Sequence, residues 1–163
     1  MNNEYKRPID RLPDDPFTAM EESWELMPPS FVMPEIVYWS LMAMSHQSSL
    51  YAELKYRTRF IAFFADLLLF LEATYVYARK MESEESPGYL IQYLSKDHKD
   101  DPIKAIKRFC NNYPHSYVTV ELWFFYQGVQ FYEGPLTGEY ETSEVHLHLL
   151  TLVESFYQIL EAK

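Results

Sequence analysis

One cysteine, Cys110, stands in 163 residues. That excludes an intrachain disulfide and any zinc site needing several thiolates. Glycine is nearly as scarce, with four residues (Gly88, Gly128, Gly134 and Gly138). So few turn-formers leave little material for the hairpins of an all-β fold and favour long elements joined by few loops. Positive charge is short too: 14 basic against 24 acidic residues give a formal charge of −10. A surface of that sign repels phosphate backbones and anionic lipid heads, so nucleic acid and membrane surfaces are disfavoured as partners. Chemical motifs are missing as well. There is no glycine-rich phosphate loop, no Gly-x-Ser-x-Gly elbow, no His-Glu-x-x-His and no cysteine–histidine metal spacing, and no cofactor is expected. The start, MNNEYKRPIDRLPDDP, is polar and broken by proline, unlike the apolar centre of a secretion signal. A cytoplasmic protein is the expectation.

What is abundant is bulky apolar material: 48% hydrophobic residues and 17% aromatics. That is too much for a disordered chain, and the length suits one domain with a substantial core. The pattern predicts an all-α, single-domain bundle of about six helices around a long central helix running from Leu50 to Glu82. Residues 1–13 read as an irregular arm and 14–163 as the bundle. The first helix opens with Asp15 as N-cap and Pro16 at its first position, and stops at Pro28–Pro29. A second opens at Pro34, and HQSS (His46–Ser49) leaves its end open. Glu53 and Arg57 fall four apart, in the favourable order for a surface pair on the long helix. SPGYLIQYLSK and DDPIKAIKRFCNNYP read as two shorter helices. In the second, Ile103, Ile106 and Cys110 face one way and Lys104, Lys107 and Arg108 another, and Pro114 ends it. Residues 117–132 are rich in β-branched and aromatic side chains, which suits a strand. Yet Val118, Leu122, Phe125, Val129 and Tyr132 recur at helical spacing, with Ser116 as the N-cap, and helix is the expectation. Gly128 inside it marks a close helix crossing.

The run Phe60–Ala78 has the length of a membrane span. It carries Asp66 and Glu72, and a carboxylate near a bilayer centre costs roughly 2.5–3.5 kcal/mol. A buried bundle helix fits better, so no membrane is expected. On its wheel Arg59, Ala62, Asp66, Ala73 and Tyr77 share one face, where either a neighbouring helix or water must lie. Asp66 and Glu72 are candidate ligand-binding residues, because a buried acid must find partners or become neutral. The plainer expectation is that each meets an arginine (Arg57, Arg59 or Arg79) or a tyrosine hydroxyl.

SEVHLHLL (Ser143–Leu150) places two histidines one residue apart. On a strand they would share a face and could chelate one ion. On a helix they are about 200° apart. Val145, Leu149, Leu152, Phe156, Ile159 and Leu160 keep the helical period to the chain end, so helix is expected. His146 and His148 then flank the apolar stripe on opposite edges. Glu144 and His148, four apart, remain the candidate metal ligands, although the Glu-x-x-His pattern of di-metal bundles does not occur.

RFCNNYPH (Arg108–His115) resembles the Arg-x4–6-His signature of HEPN-type helical domains, many of which are RNases. The resemblance implies an all-α bundle with an RNA-cleaving site formed across a dimer. In it Arg108 would stabilise phosphate charge and His115 would handle the proton, as catalytic residues. Without it, Lys104, Lys107 and Arg108 read as a solvated basic face balancing Asp97, Asp100 and Asp101. Weighed together, the residues predict a small acidic interaction or regulatory protein without catalysis, with a protein partner or self-association through aromatic helix faces. The alternatives are the HEPN-like RNase and a helical metal- or small-ligand-binding protein using the buried carboxylates and His148.

Overall fold

The structure is a computed structural model that describes residues 7–12, 14–81, 89–130 and 142–161. Among these residues every regular element is helical. In chain order they are α1 (Pro8–Arg11), α2 (Pro16–Leu26), α3 (Pro29–Ser45), a 3₁₀ turn (Leu50–Ala52), α4 (Leu54–Met81), α5 (Lys96–Asp100), α6 (Pro102–Asn112), α7 (His115–Gln130) and α8 (Thr142–Glu161). The all-α bundle is therefore the fold, with eight α-helices among the described residues rather than about six.

Proline sets most of the starts. The Asp15 carboxylate accepts from the N–H groups of Phe17 and Thr18, Pro16 takes the first helical position, and α2 follows. Its carboxyl lies below the usual range because the Thr18 hydroxyl and these backbone N–H groups favour the charged form. Several boundaries differ from the sequence reading, each for a local reason. Within the expected irregular arm, Pro8–Arg11 form α1, closed by the Asp10 carboxylate accepting from the Arg7 backbone N–H. The second helix begins at Pro29, not Pro34. Pro34 lies inside α3 on an exposed position, where the carbonyl left without its N–H can bond water. HQSS is a true break, because Ser49 turns its hydroxyl to the Tyr51 N–H and starts the 3₁₀ turn. The long helix consequently starts at Leu54 instead of Leu50, with Glu53 accepting the Arg57 N–H through its backbone carbonyl. Tyr89–Ser95 contains no helix, for a reason found at Glu72 below. Tyr113 leaves α6 in extended conformation (φ −127°, ψ 115°), as a residue before proline prefers. The Pro114 carbonyl then receives the N–H of Tyr117 and Val118, so α7 starts ahead of Ser116. Residues 117–130 are helix, and the 131–141 connection lies outside the described residues, as does Glu82.

α4 is the centre. It packs against α6, the 3₁₀ turn, α3, α2 and α5. Its phenylalanines reach the 3₁₀ turn, α6 and also α7. Phe60 stacks on Tyr51 at 4.3 Å and meets Phe125 of α7 at 5.4 Å, while Phe70 stacks on Phe109 of α6 at 4.4 Å. The face shared by Arg59, Ala62, Asp66, Ala73 and Tyr77 changes character along its length. Arg59 and Ala62 are exposed, whereas Ala73 is buried and Tyr77 meets Phe156 of α8 at 5.4 Å. Leu54–Lys80 is long and apolar enough to cross a membrane, with mean hydropathy 1.7, and 61% of its apolar window is buried inside the bundle. Gly128 does mark a crossing: a Cβ there would lie 2.9 Å from Ala43 Cβ of α3.

Candidate functional site

Glu72, in the middle of α4, is fully buried. One oxygen accepts from the backbone N–H of Tyr93 (2.6 Å) and Leu94 (3.1 Å), the other from the N–H of Gln92 (3.0 Å) and the Tyr89 hydroxyl (2.7 Å). Three successive N–H groups on one carboxylate cannot also feed a helix, which is why the expected helix over this segment is absent. Burial first, then this carboxylate, raise the Tyr89 phenol far above its ordinary value and keep it a donor. Glu72 is therefore a clamp holding 89–94 against α4, with its hydrogen-bonding capacity used. Asp66 accepts from the Tyr113 hydroxyl at 2.5 Å. Both acids thus met the tyrosine partner that the sequence allowed.

Arg59 serves a third acid. Glu121 of α7 is 1% exposed, receives Arg59 Nη2 at 3.3 Å and accepts from the Tyr51 hydroxyl at 3.1 Å. Sequence reasoning passed over Glu121. Its signal was position: three residues after Val118 and four before Phe125, it falls on the buried face of α7.

The residues of the HEPN-like reading lie on separate helices. Arg108 is exposed on α6 and borders a shallow depression with Asp66, His98 and Asn112. His115 opens α7, with Nε2 at 2.5 Å from Glu154 Oε1 and its ring 4.9 Å from Tyr157. Cys110 is half-buried, and burial pushes its thiol up to about 11, which leaves it a weak nucleophile.

Glu144, exposed, and His148, buried, both line a cavity of about 200 Å³ between α1, α2 and α8. His148 is 5% exposed rather than at an edge of the stripe, because α2 and α7 both pack against α8. Its Nδ1 lies 2.6 Å from Ser23 Oγ, its ring meets Trp24 edge-on at 5.0 Å, and Nε2 has no hydrogen-bond partner. A serine on a histidine resembles a nucleophile–base pair. However, burial pulls this imidazole down to about 3, too weak a base to take a serine proton near neutrality. Among the described residues no group of three or more potential ligands could hold a metal.

The remaining feature is on the outside. α3 is apolar all round, and Glu35 is its one charged residue. Its exposed positions include Phe31, Pro34, Tyr38, Leu41 and Ser45, which repeat at three and four residues. Leu41 is 60% exposed and Tyr38 39%. α7 packs on α3 and likewise exposes no charge, showing Val120 and Trp123 to solvent.

Fold and surface together define an all-α helical bundle in which Glu72 and Asp66 bond tyrosine hydroxyls and the exposed positions of α3 are uncharged. Comparison with known proteins takes the class no further: no family model matches the chain, and no curated protein and no solved structure matches it.

Proposed function

We propose that the protein is a non-catalytic interaction module whose working surface is the outer face of α3, and that the surface pairs with a second copy of the chain. The observation that carries this reading is the exposed stripe Phe31, Pro34, Tyr38, Leu41 and Ser45. A soluble helix ordinarily turns a polar face to water, and an apolar one marks a contact. Charge selects the occupant. Two copies carrying −10 each repel over most of their surfaces. They approach at least cost where the exposed positions are neutral, and those of α3 are. The three-and-four spacing is that of helices packing knobs into holes. The stripe is also self-complementary about Tyr38. In an antiparallel pair centred on Tyr38, Phe31 falls opposite Ser45, so a large end meets a small one around a two-fold axis.

Sedimentation velocity over a concentration series tests this. Wild type is expected to reach twice the monomer mass, and Leu41→Glu to stay monomeric with an unchanged helical circular dichroism spectrum. Wild type remaining monomeric at every concentration, or Leu41→Glu dimerising as well as wild type, would refute the reading.

A further inference from the structure

The cavity between α1, α2 and α8 has a wall suited to a ligand and no chemistry suited to turnover. Its apolar side is formed by Ile9, Leu26, Met27 and Leu147. On its polar side stand Ser23 and His148, joined at 2.6 Å, and Thr151, whose hydroxyl is already given to the Leu147 carbonyl at 2.7 Å. A cavity of about 150 Å³ is enough for benzene, and this one is about 200 Å³. Arg7, Glu144 and Leu26, the last 53% exposed, are the exposed members of its lining and form its mouth.

From this geometry we infer that the cavity binds a small neutral phenol or alcohol, its apolar body against Leu26 and Leu147 and its hydroxyl on the Ser23–His148 pair. The pair has hydrogen-bonding capacity left in either tautomer. If Ser23 donates to Nδ1, its oxygen keeps a lone pair with which to accept. If Nδ1–H donates to Ser23, the serine proton is unused and free to be donated. A hydroxyl both donates and accepts, so it answers either arrangement; a carboxylate answers only one. The mouth also disfavours an acid: Glu144 repels it, and the Arg7 guanidinium is already held by Asp10 at 3.1 Å. Because burial keeps the imidazole neutral, a neutral guest suits the wall.

The test uses the intact protein, with phenol and toluene as probes, followed by NMR at the methyl groups of Met27 and Leu147. Saturable phenol shifts at those methyls are expected. Ser23→Ala should weaken phenol about tenfold relative to toluene, the worth of roughly one hydrogen bond. Leu26→Trp, a change at the exposed rim, should abolish both shifts by filling the mouth. Absence of saturable phenol binding would overturn the proposal. So would an unchanged phenol-to-toluene ratio in a folded Ser23→Ala protein, or undiminished phenol binding by Leu26→Trp.

Discussion

Replacing Glu72 by glutamine turns one of its two oxygens into a donor, and that oxygen now accepts two hydrogen bonds. The amide settles with its N–H₂ on the side of Tyr89, whose hydroxyl turns to accept from it. Of the four donors (Tyr89 hydroxyl and the N–H groups of Gln92, Tyr93 and Leu94), the Gln92 N–H is then the one left facing an N–H₂ group. A buried donor left without an acceptor costs about 1–3 kcal/mol. Relaxation is available, because Leu90 is 80% exposed and Tyr93 37%, so part of the segment can turn towards water. The expected loss is therefore near the lower end, about 1–2 kcal/mol. Urea unfolding should show it as a lower midpoint at unchanged slope. Hydrogen exchange should show faster exchange first at residues 92–94. A Glu72→Gln protein within about 0.5 kcal/mol of wild type, with those three N–H groups still protected, would refute the clamp.

Two further outcomes follow from buried groups. His148 has its folded-state value pulled down to about 3 from an ordinary 6.5 by burial. Below 6.5 the unfolded chain therefore takes up a proton that the folded chain refuses. The stability held by the neutral ring is full above that pH and is lost as pH falls from 6.5 towards 3. Between pH 6.5 and 5, above the ordinary carboxylate range, wild type should lose stability by up to about 1.4 kcal/mol per unit from this ring. His148→Gln should flatten that slope in urea titrations at each pH; an unchanged slope would count against a neutral His148. Gly128→Ala sets a methyl 2.9 Å from Ala43 Cβ, on an atom that cannot swing away. Overpacking of about 1–3 kcal/mol exceeds the helix-propensity gain of about 1 kcal/mol. The variant should melt lower than wild type, and a higher melting temperature would show the crossing to be loose.

The parts of the fold legible in sequence were those written in short-range signals. Asp15–Pro16 announced a helix start, and the spacing of Val118, Leu122, Phe125 and Val129 outweighed the β-branched content of α7. Illegible were bonds between distant positions. Tyr89–Leu94 looked helical because nothing local shows that Glu72, about 20 residues earlier, takes its N–H groups. Ser23 meets His148 across 125 residues of chain. The α3 stripe was hidden for the opposite reason: a helix apolar on every side carries no periodic sign of which side faces out.

Disulfide trapping at the proposed two-fold tests the central claim most directly. With Cys110→Ser removing the single native thiol, Tyr38→Cys places a cysteine at the centre of the α3 stripe and Leu90→Cys places one on an exposed control position. Facing helices bring Cα atoms on the axis within the reach of a disulfide. The account predicts rapid, near-complete covalent dimer for Tyr38→Cys and little for Leu90→Cys. Tyr38→Cys linking no faster than Leu90→Cys would contradict self-association through α3.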